Sequence, residues 1–252
     1  MHILLANDDG YDAPGLVVLA KALEAQHHKV TVVAPLENKS GCGMGLSLRR
    51  QIEVKQHSED WFVVDGTPAD CVYLGLHNLI TEPVDLVVSG INNGQNLAND
   101  ILYSGTFAAA MEARHLAIPS IAMSITQREV NHYETAAKLA VDLSNSISRL
   151  AFKSLISVLN VNLPDVPVMD LRGYKATLLG DRHVPLPPVL NDGDLQCGLY
   201  SLGPAGDFVR RKRNKIQDFE AVEQGYASVT PLSSRFEDSA YVDDVQKWLD
   251  TI

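Results

Sequence analysis

The chain has 252 residues, 46% of them hydrophobic and 21% charged, enough to bury one large core or a core with a long appendage. Its 31 acidic against 21 basic residues give a formal net charge of −10, which repels a polyanionic duplex and argues against stable binding of long nucleic acid. No run reaches the roughly 18 to 20 apolar residues that span a bilayer, and no basic stretch precedes a signal-type apolar segment, so a cytoplasmic protein without membrane association is expected.

A small phosphorylated ligand stays open despite the acidic balance, because a bound cation reverses the local field. Cys42, Cys71 and Cys197 are scattered and form no C-x-x-C pair, so they read as reduced, structural thiols. The eight histidines show no metal-ligand spacing, and none is assigned to catalysis.

Residues 2–6 form a short apolar run that stops at Asn7-Asp8-Asp9-Gly10, as a buried strand feeding a polar loop does. After Pro14-Gly15, the residues Leu16, Leu19, Ala20 and Leu23 recur at helical spacing, and 30–33 follow as a second strand closed by Ala34-Pro35. The unit repeats: a strand at 61–64, a helix around Val72, Leu76 and Leu79, and a strand at 86–88 that runs into Ser89-Gly90-Ile91-Asn92-Asn93-Gly94. A helix follows Ser104-Gly105-Thr106 with Phe107, Ala110, Met111 and Arg114 along it, then a strand at 120–125. Ala136, Ala140, Leu143, Ile147 and Leu150 mark an amphipathic helix, and 155–163 a further strand.

Such alternation predicts an α/β fold with a mostly parallel, doubly wound sheet flanked by helices over residues 1–164. From Pro164 the rhythm fails, with Pro185, Pro187 and Pro188 and recurrent glycines, so 165–252 reads as an extension of β-hairpins. It regains order in a strand at 227–230 before Pro231 and a terminal helix with Tyr241, Val245 and Trp248 on one face. The basic run Arg210-Arg211-Lys212-Arg213 reads as a solvated hairpin face rather than a phosphate grip.

Ligands of open parallel sheets bind outside the carboxyl ends of the strands, which directs attention to the polar residues there. Adjacent Asp8 and Asp9 repel each other in a cleft unless a cation sits beside them, which favours a hard divalent metal such as magnesium or manganese. The competing reading is a turn in which Asp8 caps and Asp9 faces solvent. Ser40, among Gly41, Gly43 and Gly45, offers a hydroxyl on a loop able to approach a ligand. Asn92 offers an amide oxygen to a metal or amide hydrogens to phosphate, against an Asx-turn as the alternative. Ser104, Gly105 and Thr106 sit where a helix N-terminus binds anions, against simple N-capping by Ser104. All these residues share one edge of one sheet, so a common ligand accounts for them together. Asp65-Gly66-Thr67-Pro68-Ala69-Asp70 reads as a helix-initiating turn that still permits substrate contact.

Asn7-Asp8-Asp9-Gly10, Ala34-Pro35 followed by Ser40-Gly41, Gly66-Thr67-Pro68-Ala69-Asp70-Cys71-Val72, Ser89-Gly90-Ile91-Asn92 and Tyr103-Ser104-Gly105-Thr106 stand in family order, with a fainter echo from Gly225 to Leu232. In these segments the chain resembles the SurE family, the stationary-phase survival protein E nucleotidases. The resemblance implies a Rossmann-like core, one divalent metal cation per subunit held at Asp8, Asp9, Ser40 and Asn92, and hydrolysis of nucleoside 5′- and 3′-monophosphates, with short-chain polyphosphate as a further substrate. It also implies a homodimer or homotetramer embraced by the C-terminal hairpin and tail. Tyr200-Ser201-Leu202-Gly203 departs from the aromatic-rich family pattern, which leaves base preference open.

On this reading Asp8 and Asp9 are the catalytic pair, Asn92, Asn96 and the turn from Ser104 through Gly105 to Thr106 secure phosphate oxygens, and a metal-activated water attacks. An aspartyl phosphate on Asp8 is the competing route. A non-catalytic nucleotide-binding regulator and a nucleotide-sugar transferase are the competing functions, since such folds host many chemistries.

Overall fold

The computed structural model describes residues 1–150, 156–194, 197–235 and 241–250. The chain begins with β1 (His2–Ala6), α1 (Pro14–Glu24), β2 (Lys29–Pro35), β3 (Val54–Ser58), β4 (Trp61–Val64) and α2 (Pro68–Leu74). There follow β5 (Leu86–Asn93), α3 (Gly105–Glu112), β6 (Ser120–Ile125), α4 (Tyr133–Ser146) and β7 (Val158–Leu163). The remainder adds β8 (Tyr174–Ala176), β9 (Val189–Gly193), β10 (Gly198–Ser201), α5 (Asp218–Glu223), β11 (Ala227–Leu232) and α6 (Val242–Leu249).

Nine of these strands form one sheet in the order β3-β4-β2-β1-β5-β6-β7-β11-β8. Pairs from β4 through β7 are parallel, whereas β3 joins β4 and β11 joins β7 antiparallel. The α/β class and the mostly parallel sheet therefore stand, with the expected hairpin as the separate pair β9–β10 and the terminal helix as α6.

The central strand shows why the sequence yields three layers. Strand residues point alternately to opposite faces, and in β1 Ile3 and Leu5 join one buried cluster while Leu4 and Ala6 join another. Helices α1 and α4 close the first through Leu16, Leu19, Leu139 and Ala140; α2 and α3 close the second through Cys71, Val72 and Ala109. Each fully buried leucine contributes about 2 kcal/mol of transfer free energy, so an unbroken apolar strand is stable only with helices on both sides.

Several boundaries differ from those read off the sequence. The helix through Val72 ends at Leu74 and continues as one π-helical turn, Gly75–Leu79. The helix through Ala136 ends at Ser146, and Ile147–Arg149 tighten into a 3₁₀ turn that leaves Leu150 outside. Strand β7 begins at Val158; Leu155, its expected start, lies outside the described residues. Strand β11 runs through Pro231 because β8 pairs with it only at Ala227–Val229, so the missing N–H interrupts no ladder on that side. Strands β3 and β8 and helix α5 had no sequence expectation. The four residues of β3 after Val54 are exposed and polar, and β8 and α5 are too short to show a period.

Candidate active site

Chain direction reverses about β1: α1 leads outward to β2 on one side, and the chain returns through α2 to β5 on the other. The carboxyl ends of β1 and β5 therefore form the topological switch point, where the crevice of such sheets opens. Asp8 and Asp9 follow β1, Asn92 and Asn93 end β5, and Ser104 caps α3 beside them. A bulge in β5, where Ser89 faces Ala122 but Asn92 faces Ser124, re-aims the strand end. Helix α1 meets that bulge closely: a Cβ on Gly15 would lie 2.3 Å from the Ile91 carbonyl oxygen.

The crevice holds a cavity of about 730 Å³ lined by Asp8, Asp9, Ser40, Asn92, Asn96 and Ser104 among others. Gly105 and Thr106 stand behind Asp8. A Cβ on Gly105 would lie 2.7 Å from the Asp8 Cβ, so only glycine lets α3 begin against this carboxylate. Thr106 Oγ1 donates to Asp8 Oδ1 at 2.6 Å, and the backbone N–H groups of Thr106 and Gly105 add further bonds. Ser104 itself caps α3, its Oγ accepting from the Phe107 N–H at 3.0 Å.

Burial pushes the Asp8 carboxyl above its usual range, against the opposing hydrogen bonds from Thr106 and Gly105. Burial, and then the charge of Asp8, push Asp9 up to about 6, partly countered by the Asn93 N–H at 3.3 Å. The two carboxylates thus share a poorly hydrated cleft in which each disfavours the other's charge.

Neighbouring residues hold this pair from both sides. Asn38 donates to Asp9 Oδ1 at 3.3 Å and accepts the Ser40 N–H at 2.8 Å, while the Lys39 N–H reaches the Asp8 carbonyl at 2.7 Å. The Ser40 loop is thereby folded onto the strand end. Asn92 Nδ2 donates to the Gly94 carbonyl at 2.9 Å, which leaves Oδ1 as the amide's acceptor. Tyr133 of α4 donates its hydroxyl to Asn93 Oδ1 at 2.8 Å.

Asn96 is differently engaged from what its sequence position suggests. Its Nδ2 hydrogens go to Thr106 Oγ1 at 3.3 Å and Ser124 Oγ at 2.8 Å, so Asn96 steadies the hydroxyl that steadies Asp8. Its backbone N–H and carbonyl pair with the Oδ1 and Nδ2 of Asn162, at 2.8 and 3.0 Å, and Asn160 Nδ2 reaches the same carbonyl at 2.9 Å. Asn160 and Asn162 were missed in the sequence, yet two amides at alternate positions of the apolar run Leu159–Leu163 signalled a polar stripe inside the sheet. Asn38, Asn93, Asp100, Tyr103, Arg128 and Arg182 also line the cavity without having been singled out for it.

Two secondary expectations meet their geometry. Thr67 caps α2 in a reciprocal box with Asp70, so that turn initiates a helix. The basic run lies outside the β9–β10 hairpin: Arg210 pairs with Glu223, and Arg213 with Asp181 at 2.7 Å. Tyr200 lies in β10 and is exposed.

Among the described residues no group of three His, Cys, Asp or Glu side chains gathers as a metal cluster. The donors at hand are two carboxylates, the Ser40 hydroxyl and the Asn92 amide oxygen, all lining one cavity. An all-oxygen set with paired carboxylates suits a hard cation such as magnesium or manganese, and the upward push on both carboxylates is what a cation relieves.

Comparison with known proteins agrees with this architecture. A family model described as Survival protein SurE matches residues 3–185. A 5′-nucleotidase SurE of Ruthia magnifica subsp. Calyptogena magnifica is 42% identical over 253 residues, covering all of both chains. A 5′/3′-nucleotidase SurE of Photorhabdus laumondii is 44% identical over 233 residues, covering 92% of this chain and 89% of its own. The crystal structure of the SurE protein from Aquifex aeolicus superposes with a TM-score of 0.85 at 37% identity, covering 99% of this chain and 100% of that one. With matching sequence over its full length and a matching fold, the chain belongs to the SurE family.

Proposed function

We propose that the protein is a metal-dependent phosphomonoesterase that hydrolyses nucleoside 5′- and 3′-monophosphates to nucleoside and phosphate, with short-chain polyphosphate as a further substrate. The observation that carries this reading is the pair of buried Asp8 and half-buried Asp9 at the switch point, beside the capped start of α3. The names of the relatives point the same way.

In this reading Asp8, Asp9, Ser40 and Asn92 hold one divalent cation per subunit, magnesium or manganese. Bound there, the cation would offset the negative charge that develops on the phosphoryl oxygens and would lower the pKa of water. The chain's own groups do the positioning. Thr106 fixes Asp8 through its 2.6 Å hydrogen bond, so that carboxylate presents one rotamer. Asp9, less buried, is the carboxylate that orients the attacking water and takes its proton. Asn92 and Ser104 receive the non-bridging oxygens at the start of α3, where the helix dipole favours negative charge, while the N–H groups of Gly105 and Thr106 stay with the Asp8 carboxylate. Asn96, with both amide hydrogens committed, serves by holding Thr106 and Ser124 and keeps Oδ1 for the pocket.

The chain is organised as a catalytic core, residues 1–164, and an extension, 165–252, which completes the sheet through β8 and β11 and assembles subunits through its hairpin and terminal helix. Support comes from the exposed apolar side chains Leu199, Tyr200 and Leu202 in and after β10 and Val245, Trp248 and Leu249 on α6. A homodimer or homotetramer covers such surfaces. No described helix is long and apolar enough to cross a membrane, and free thiols at Cys42, Cys71 and Cys197 fit a reducing cytoplasm.

The test is phosphate release from a panel of nucleoside 5′- and 3′-monophosphates with manganese present, wild type beside Asp9→Asn. Release by the wild type and loss of at least a hundredfold in the variant is expected. Binding of nucleotide without release would return the protein to the regulatory class, and radiolabelled phosphate trapped on Asp8 would replace direct attack by water with a covalent route.

A further inference from the structure

Asp218, the first residue of α5, is a fully buried carboxylate far in sequence from the catalytic pair. Backbone N–H groups hold it: Oδ1 accepts from Gly180 at 3.0 Å and from Phe219 at 2.8 Å, and Oδ2 accepts from Ala98 at 2.8 Å. A Cβ on Gly180 would lie 2.8 Å from Asp218 Oδ1 and 2.7 Å from the Phe219 ring, so glycine lets the chain close on the carboxylate. Burial pushes the Asp218 carboxyl above its usual range, against the pull of those N–H groups. A buried charge is stable only with its donors fixed around it, so the three segments that supply them are tied to one another.

One of these segments enters the active site. Ala98 opens the 3₁₀ turn Ala98–Tyr103, whose end runs into Ser104 and the start of α3. Its φ is +52°, a left-handed conformation that a residue with a Cβ resists. The chain is pinned on both sides of it: the Asn96 backbone by Asn160 and Asn162, and Asp100 by Arg182 at 2.8 Å. Between two fixed points, a return of Ala98 to the right-handed region redirects the turn and carries Ser104, Gly105 and Thr106 with it. The bond from the Ala98 N–H to Asp218 opposes that return.

We propose that Asp218 is a positioning residue: by holding Ala98 in its left-handed conformation, it sets the start of α3 against Asp8 from 120 positions along the chain. The inference rests on the phosphatase reading and deepens it, giving the extension a part in the active site as well as in assembly.

The test is a double-variant cycle on the full chain, assayed with manganese and adenosine 5′-monophosphate. Asp218→Asn keeps the shape but has one carbonyl oxygen. With that oxygen retained by Gly180 and Phe219, the amide hydrogens face the Ala98 N–H and its bond is lost. Beside the natural Ala98, the substitution should lower kcat about tenfold and change KM less than about twofold. Ala98→Gly makes the left-handed conformation intrinsically accessible. On that background the same Asp218→Asn substitution should lower kcat less than about threefold. Equal losses in the two backgrounds, or no loss in either, overturn the proposal. So does a fold lost in Asp218→Asn, by circular dichroism, that Ala98→Gly does not regain, because the bonds to Gly180 and Phe219 then carry the role of Asp218. If the wild type releases no phosphate, the phosphatase reading fails and hydrogen exchange decides the positioning. Asp218→Asn should then speed exchange of the Gly105, Thr106 and Phe107 amides at least about tenfold relative to β1, and unchanged exchange at those amides overturns it.

Discussion

Replacing Asp9 with asparagine should stabilise the metal-free protein at alkaline pH while abolishing its activity. Asp9 titrates at about 6 in the folded chain against 3.8 for the free side chain. Between those values the folded state binds more protons than the unfolded one, so stability falls as pH rises through the window and stays lost above it. That difference corresponds to about 3 kcal/mol as an upper bound. Asparagine removes the charge but offers one oxygen to the two donors Asn93 N–H and Asn38 Nδ2, which takes back about 1 kcal/mol. A net gain of about 2 kcal/mol raises Tm by about 4–8 °C for a chain of this size. Differential scanning calorimetry in EDTA at pH 8 and pH 4 measures it: the variant should melt higher at pH 8, and the difference should vanish at pH 4. A difference independent of pH, or a variant less stable at both, refutes the reasoning. Added manganese should reverse the order, because only the wild type gains binding free energy from the ion.

The other expectations concern the groups around that pair. Gly105→Ala places a methyl 2.7 Å from the Asp8 Cβ and should cost about 1–3 kcal/mol of stability and at least tenfold in kcat, read by urea unfolding and steady-state kinetics. Thr106→Val keeps the shape but removes the donor to Asp8 Oδ1; kcat should fall about tenfold to a hundredfold with KM nearly unchanged. Asn162→Leu leaves the buried Asn96 N–H without its acceptor, and chemical denaturation should find a loss of about 2–4 kcal/mol.

The fold was legible wherever burial imposed a period. β1, α1 and β6 carry apolar residues at strand or helix spacing because both faces of the sheet are covered, and those elements fell where the pattern placed them. β3 was invisible because an edge strand that faces solvent needs no apolar alternation, and α5 because six residues are too few to show a helical period. The site was legible to the extent that it sits at strand ends. Asp8, Asp9, Ser40, Asn92, Asn96 and Ser104 line one cavity because the switch point gathers those loops. What the one-dimensional pattern could not show was partnership. The commitment of Asn96 to Thr106 and Ser124, and the pairing of Asp100 with Arg182 across 82 positions, depend on which loops the sheet order brings together.

The central claim is that a divalent cation at the Asp8–Asp9 pair enables phosphate ester hydrolysis, and the most direct test is a metal add-back titration. Protein stripped with EDTA and freed of chelator is assayed for phosphate release from a nucleoside 5′-monophosphate as manganese or magnesium is restored. Activity absent at zero metal and saturating with one ion per subunit is predicted. Full activity in the stripped protein, or saturation unaffected by Asp9→Asn, would contradict the account.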